Sequence, residues 1–240
     1  MAKRAIEETK EHRGYYSQVF LVPKQTGGWR QVFDLSNLNR YLIIPRFKME
    51  SALTIQRALR KDKWIISIDV KDAYFHIQVH KAFRHYLLFA YQNTVYQFRV
   101  LPFGVATAPY IFTRIVKAMA AQFRVRGIQF HHYIDDWLIV ADSPQKAIDH
   151  ARHVIQLATR LGWIPNWEKS CLTPTQVFEY VGVAYDLSKG KAFPPAKRLA
   201  KVTALVNELL RDRVPTARQM LSLIGLLASR ENKSRTGGAT

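Results

Sequence analysis

The chain has 240 residues, 48% of them apolar, enough to bury a sizeable core as one large domain or two to three small ones. Its 36 Lys and Arg against 18 Asp and Glu give a formal charge of +18, which repels itself in a compact fold and points to a polyanionic partner, nucleic acid first. No stretch approaches the roughly 18 to 20 uncharged apolar residues of a bilayer span, residues 1–10 lack the apolar stretch of a signal peptide, and Cys171, the single cysteine, excludes an intrachain disulfide and cysteine-rich zinc sites.

In chain order, residues 1–13 are polar and predict a frayed helix. Residues 16–22 and 29–34 predict two strands of a hairpin turned at Gly27-Gly28. A helix over 51–60 is capped by Ser51. Residues 64–70, rich in β-branched side chains and bounded by charge, predict a buried strand. Further strands are predicted over 76–80, 86–91 and 94–99, the last two joined by a turn at Gln92-Asn93. After a loop at Leu101-Pro102-Phe103-Gly104, helical spacing runs over 108–126 with Pro109 in its first turn. Two short strands, 130–133 and 137–141, flank Ile134-Asp135-Asp136. Ser143-Pro144 opens a helix to about residue 161, and Gly162 ends it. Residues 177–185 predict a strand pair or one bent strand around Gly182. Pro194-Pro195 and Pro215 each begin a helix, running to about 211 and 228. Strands and helices mix without strict alternation, so the fold class is α+β.

The charge is uneven along the chain. Residues 1–63 carry net +7, residues 64–187 net +3 and residues 188–240 net +8. Acids gather in the middle and bases at the ends, the pattern of a carboxylate floor between two nucleic-acid grips. An acidic membrane surface is the second candidate partner, but no basic amphipathic helix with a strongly apolar face stands out. The lone cysteine and the absence of a leader fit an intracellular setting, cytoplasm or nucleus.

Tyr133-Ile134-Asp135-Asp136 lies between two apolar strands. Adjacent carboxylates at a hairpin tip repel unless a cation stands between them. Asp is also a good turn residue, so local chemistry leaves a metal site and a plain turn both open. Asp69 ends an otherwise apolar strand, where a charge is costly unless paired or metal-bound. Three carboxylates from two strands could hold two Mg²⁺ about 3.5–4 Å apart, and Mg²⁺ prefers such oxygen ligands. His76 and His80 share a strand face and read as exposed histidines rather than zinc ligands. His131 and His132 point to opposite faces of a strand and receive no role. Lys197, Arg198 and Lys201 lie on one helical side and suit phosphate contacts that position a duplex.

The Asp69 strand, then Leu101-Pro102-Phe103-Gly104 with Ala108-Pro109, then Tyr133-Ile134-Asp135-Asp136, in this order and spacing, resembles the palm of retroelement reverse transcriptases. Phe47-Lys48-Met49-Glu50, the run from Ser67 to His76, Asn166-Trp167-Glu168-Lys169-Ser170 and the ending from Ala217 to Leu227 look like the LTR-type branch, and within it DIRS-type retrotransposons. The resemblance implies a right-hand polymerase fold with an antiparallel palm sheet backed by helices. Fingers would be 1–63, with 79–100 contributing, the palm 64–187, and a partial helical thumb 188–240 with an unfolded tail.

It implies, residue by residue, that Asp69, Asp135 and Asp136 are catalytic metal ligands, with the Val70 carbonyl as a further ligand. Mg²⁺ would be the cofactor, two ions, with Mn²⁺ as a substitute. Tyr74 would be the gate that rejects a 2′-hydroxyl, with a core tyrosine as the plain alternative. Asp72 and Ala73 would lie near the triphosphate, although Asp72 also suits a helix cap. Lys24 and Arg30 would clamp the triphosphate from the first hairpin. Phe103 and Gly104 would face nucleotide and template. Phe178, Tyr180, Val181 and Gly182 resemble the primer grip, with a strand bulged at Gly182 as the alternative. Lys169 falls where a lysine can protonate pyrophosphate, and Tyr133 is the active-site aromatic. Partners would be dNTPs and an RNA or DNA template–primer duplex. No RNase H motif set follows, so an RNase H domain is expected elsewhere in a larger polyprotein. Two rival readings stay open: a nucleic-acid-binding remnant without activity, and an RNA-dependent RNA polymerase. Tyr74 argues against the second.

Overall fold

The computed structural model describes residues 5–10, 12–23, 28–211 and 215–228. In chain order its elements begin with β1 (Ile6–Glu8), β2 (Gln18–Pro23), β3 (Trp29–Asp34), α1 (Ser36–Asn39), α2 (Ala52–Ala58) and β4 (Trp64–Asp69). Next come β5 (Leu88–Tyr91), β6 (Thr94–Phe98), α3 (Ala108–Val125), β7 (Gln129–Tyr133), β8 (Asp136–Ala141) and α4 (Pro144–Arg160). The remainder are β9 (Cys171–Thr175), β10 (Val177–Tyr180), β11 (Val183–Asp186), β12 (Lys191–Phe193), α5 (Ala196–Arg211) and α6 (Ala217–Ala228). They divide into two compact units, one of Met1–Phe47, Val70–Gln122 and Ala158–Pro165, the other of Lys48–Asp69, Phe123–Leu157 and Asn166–Thr240.

The first unit holds the sheet β1-β6-β5 and the hairpin β2-β3, all pairings antiparallel. Phe33 of β3 packs edge-on against Phe89 and Phe98, with centroids 5.1 and 4.8 Å away. Gln92 and Asn93 both adopt positive φ, the two-residue turn that matches the twist of a hairpin. A frayed helix was expected over 1–13, but residues 6–8 are strand β1, with Glu7 opposite Gln97. Glu7 accepts hydrogen bonds of 2.8 Å from both Arg84 and Gln97. Burial pushes the Glu7 carboxyl up, but these partners outweigh it and hold it below its usual range. A local sequence of low strand propensity is thus set by pairing and partners at a distance.

A second correction concerns residues 76–80. The structure has 3-10 turns at Ala73–His76 and Lys81–Tyr86 there, with a single bridge between Gln78 and Val100. His76 is therefore not an exposed strand histidine. It stacks on Trp163 at 4.9 Å.

The second unit is built on the antiparallel sheet β7-β8-β4-β9. β4 runs through its middle with Ile65, Ile66 and Ile68 buried. A smaller sheet, β10-β11-β12, shares its core: Ile55, Ile65, Leu138, Val140, Tyr180, Val183, Tyr185 and Leu187 pack together. Residues 177–185 are thus a strand pair, turned by Val181 (φ 48) and Gly182 (φ 71), and not one strand with a bulge. α2 is capped by Ser51, whose hydroxyl accepts the Thr54 N–H at 3.1 Å. Ala147, Ala151 and Val154 of α4 are buried, and Phe123 lies between Phe130 and His153. α5 buries none of its side chains, and Gln219 of α6 bonds its Glu208 at 3.1 Å. Among the described residues no helix is long and apolar enough to cross a membrane.

Candidate active site

The hairpin β7–β8 turns through Ile134 and Asp135, and Asp136 opens β8 opposite Tyr133. Ile134 has φ 54, a left-handed backbone that a β-branched residue adopts only under constraint, at a cost of about 1–3 kcal/mol. Part of the constraint is Trp137, whose buried indole N–H donates to the Ile134 carbonyl at 3.2 Å.

β4 places Asp69 directly opposite Asp136 in register. Residues so paired in an antiparallel sheet project to the same face, with Cβ atoms about 4.5–5.5 Å apart, and like charges there destabilise. The Asp136 carboxyl carries that mark. Burial, then Asp135 and Asp69, push the Asp136 carboxyl up to about 6, with Lys169 opposing. Burial, together with Asp69, also raises Asp135.

Asp69 is held by its backbone. Its N–H donates to Ser170 Oγ at 3.0 Å, and its carbonyl accepts the Asn166 N–H at 2.8 Å. The Ser170 hydroxyl donates in turn to the Asn166 carbonyl at 2.7 Å, closing residues 166–170 into a tight turn. That turn carries Lys169, whose ammonium stands 4.0 Å from Asp69 Oδ2 while remaining largely exposed.

The β10–β11 hairpin reaches the same place. The Tyr180 hydroxyl donates to the Asp136 carbonyl at 2.7 Å, and burial first, then Asp136 and Glu50, push its pKa well up. A cleft lined by Asp69, Asp136, Lys169, Glu179, Val181 and Gly182 opens between the sheets. Behind β7, Glu50 accepts from His131 Nδ1 at 3.2 Å and from the His132 N–H at 3.0 Å. Glu50, Asn166 and Ser170 were not singled out as site residues by sequence reasoning. Asn166 and Ser170 act through the main chain of Asp69, and Glu50 through the His131 ring and the His132 main chain; in the sequence they stood out only as parts of stretches that resemble the family's.

In the first unit, Asp72 adopts a left-handed backbone (φ 52) before the Ala73–His76 turn and makes no side-chain cap bond, so the helix-cap reading fails there. Ala73 and Tyr74 are buried, and the Tyr74 ring packs against Phe103 at 5.0 Å and Phe112 at 5.5 Å. Phe103 is half exposed, and Gly104 has φ 101 with the Phe33 carbonyl 3.4 Å from where a Cβ would stand. Asn39 fixes this loop, donating to the Gly104 carbonyl at 2.9 Å and accepting the Ala106 N–H at 2.8 Å. Arg30 lies in β3 opposite Val22. Lys24 lies outside the described residues. Val70 bridges to Pro165.

Among the described residues no three His, Cys, Asp or Glu side chains stand close enough together to hold an ion by themselves. The donor chemistry nevertheless fits a hard divalent cation. Two carboxyls are raised by burial and by neighbouring carboxylates, the condition a cation relieves, and Mg²⁺ completes its shell from water and phosphate.

Residues 22–185 match the family described as reverse transcriptase (RNA-dependent DNA polymerase). Curated relatives include the Gag-Pro-Pol polyprotein of squirrel monkey retrovirus, 29% identical over 186 residues, covering 74% of this chain and 10% of the relative. Another is the transposon Tf2-3 polyprotein of Schizosaccharomyces pombe, 27% identical over 179 residues, covering 75% of this chain and 13% of the relative. The chain thus spans about a tenth of the length of such relatives. Among solved structures, the foamy viral protease-reverse transcriptase in complex with double-stranded DNA matches with a TM-score of 0.80 at 18% identity, over 95% of this chain and 38% of that one. The same viral protein with an RNA/DNA hybrid matches at 0.76, with 18% identity, over 94% of this chain and 28% of that one. At this identity the likeness is one of fold, and it agrees with the mixed α+β architecture. The family match over most of its length makes this chain a member of the reverse transcriptase (RNA-dependent DNA polymerase) family.

Proposed function

We propose that the chain catalyses template-directed DNA synthesis, transferring a nucleotide from a dNTP to a primer 3′-hydroxyl on an RNA or DNA template. The observation that carries this reading is the register of Asp69 opposite Asp136, with Asp135 at the adjoining tip and two of the three carboxyls, Asp135 and Asp136, pushed up by burial and by neighbouring carboxylates. Asp69, Asp135, Asp136 and the Val70 carbonyl would hold Mg²⁺, or Mn²⁺ in its place. When bound there, such ions would supply Lewis-acid activation of the attacking hydroxyl and charge neutralisation at the departing pyrophosphate.

The chain's own residues do the rest. Ser170 and Asn166 fix the main chain of Asp69. Lys169, beside Asp69, gives its proton to the pyrophosphate oxygen as the Pα–O bond breaks. Tyr74 closes the space a 2′-hydroxyl would need, with Asp72, Ala73, Phe103 and Gly104 beside the nucleotide and Lys24 and Arg30 on its phosphates. Tyr180, Val181 and Gly182 hold the primer end, and the Tyr180–Asp136 bond ties that grip to the carboxylates. In this reading residues 1–63 with 79–100 serve as fingers, 64–187 as palm and 188–240 as part of a thumb, and an RNase H domain belongs to the longer polyprotein.

Primer extension on an RNA template tests it. Elongation with dNTPs and Mg²⁺, and none with rNTPs alone, is the expected result. Elongation with rNTPs alone would make the chain an RNA polymerase, and duplex binding without extension under several metals would make it a binding module.

A further inference from the structure

His76 is the last residue of the 3-10 turn that carries Tyr74, and its ring is tied at both nitrogens. Nδ1 lies 3.0 Å from the Ala73 carbonyl, and Nε2 lies 3.0 Å from the Ile164 N–H. A carbonyl only accepts and an amide N–H only donates. Both bonds therefore form only with a neutral imidazole protonated at Nδ1. Burial holds the ring's pKa below its ordinary value, against the Ala73 bond and Asp72, which favours that neutral form.

The two bonds close a loop around Tyr74. The Ala73 carbonyl belongs to the peptide that joins Ala73 to Tyr74, so Nδ1–H pins the main chain at the base of the tyrosine. The imidazole face stacks on Trp163 at 4.9 Å, Trp163 packs edge-on to Phe112 at 5.3 Å, and Phe112 packs edge-on to the Tyr74 ring at 5.5 Å. The segment behind His76 is fixed as well, since the Ile164 carbonyl accepts the Lys71 N–H at 2.9 Å. Backbone and ring of Tyr74 are thus both referred to one histidine, which the sequence presents only as an exposed strand residue.

We propose that His76 is a positioning residue for Tyr74 and so a determinant of sugar selection, which rests on the reading of Tyr74 as the 2′-hydroxyl gate. Phe at this position keeps the stack on Trp163 but offers neither donor nor acceptor. Gln offers a carbonyl oxygen for the Ile164 N–H. The proposal therefore orders the three side chains: His strongest, Gln intermediate, Phe weakest in holding the gate.

The test is single-nucleotide primer extension by the whole chain with dGTP or GTP, for wild type, Tyr74→Val, His76→Phe, His76→Gln and the double variant Tyr74→Val/His76→Phe. The expected result is a dGTP/GTP preference lowered about three- to tenfold in His76→Phe, less in His76→Gln, and no further loss in the double variant beyond Tyr74→Val, the signature of two residues acting as a unit. An unchanged preference in His76→Phe while Tyr74→Val relaxes it overturns the inference and leaves the gate standing, as does full additivity in the double variant. An unchanged preference in Tyr74→Val overturns the gate reading itself. If His76→Phe does not fold, imidazole ¹⁵N shifts of the wild-type protein decide: an Nδ1–H tautomer at neutral pH supports the proposal, and an Nε2–H tautomer or a charged ring overturns it.

Discussion

At the scale of single residues, Asp136 dominates, because its carboxyl is pushed up to about 6 by burial, Asp135 and Asp69. A carboxyl raised on folding stabilises the metal-free protein below its unfolded value, about 4, and that contribution is lost as pH rises through its folded value. Mg²⁺ should therefore raise Tm by a few degrees above about pH 7 and by little below about pH 5. Thermal melts with and without Mg²⁺ check this. An equal gain at both pH values, or one that survives Asp136→Asn, contradicts it. Ser170 offers a second test, since its hydroxyl joins the Asp69 N–H to the Asn166 carbonyl. Ser170→Ala leaves both without that partner and should cost about 1–2 kcal/mol in denaturant unfolding, with a fall in kcat rather than a rise in KM for dNTP. Ser170→Thr should recover most of each. Asp69 stood out in the sequence because a charge ending an apolar strand is anomalous wherever it occurs, and Asp135-Asp136 because adjacent carboxylates at a hairpin tip repel. Ser170, Asn166 and Glu50 did not stand out individually, because a hydroxyl, an amide N–H or a carboxylate serving main chain many residues away leaves no local anomaly.

Elements were legible where their signals are local. The strand at 64–69 carries its own run of β-branched residues, the Gln92-Asn93 turn adopts the backbone such pairs favour, and Ser51 caps the helix it precedes. Residues 6–8 and 76–80 were misread because Glu7 and His76 take their conformation from Arg84, Gln97, Trp163 and Ile164, distant in sequence. β9 and β12 went unseen, being short, polar strands that exist only by pairing with β4 and β11. The Val181–Gly182 turn gives the element-scale prediction. Gly182 has φ 71 and nothing within 4 Å of where a Cβ would stand, so only backbone strain opposes a side chain. Gly182→Ala should lower unfolding stability by about 1–2 kcal/mol, read from the urea midpoint. No change would mean that the turn relaxes to another form.

For the whole molecule, the uneven charge was readable at once, and its consequence is physical. Contacts from Lys and Arg release counterions, so affinity for a template–primer duplex should fall at least about tenfold between roughly 50 and 200 mM salt, with little dependence on duplex sequence. Gel-shift titrations measure this, and salt-independent binding would count against a role for the +18 charge. The most direct test of the central claim is primer extension by wild type and Asp135→Asn side by side, on one RNA template with dNTPs and Mg²⁺. Extension by the wild type and its loss in Asp135→Asn, with duplex binding retained, is the predicted result. Equal extension by the two proteins would contradict it.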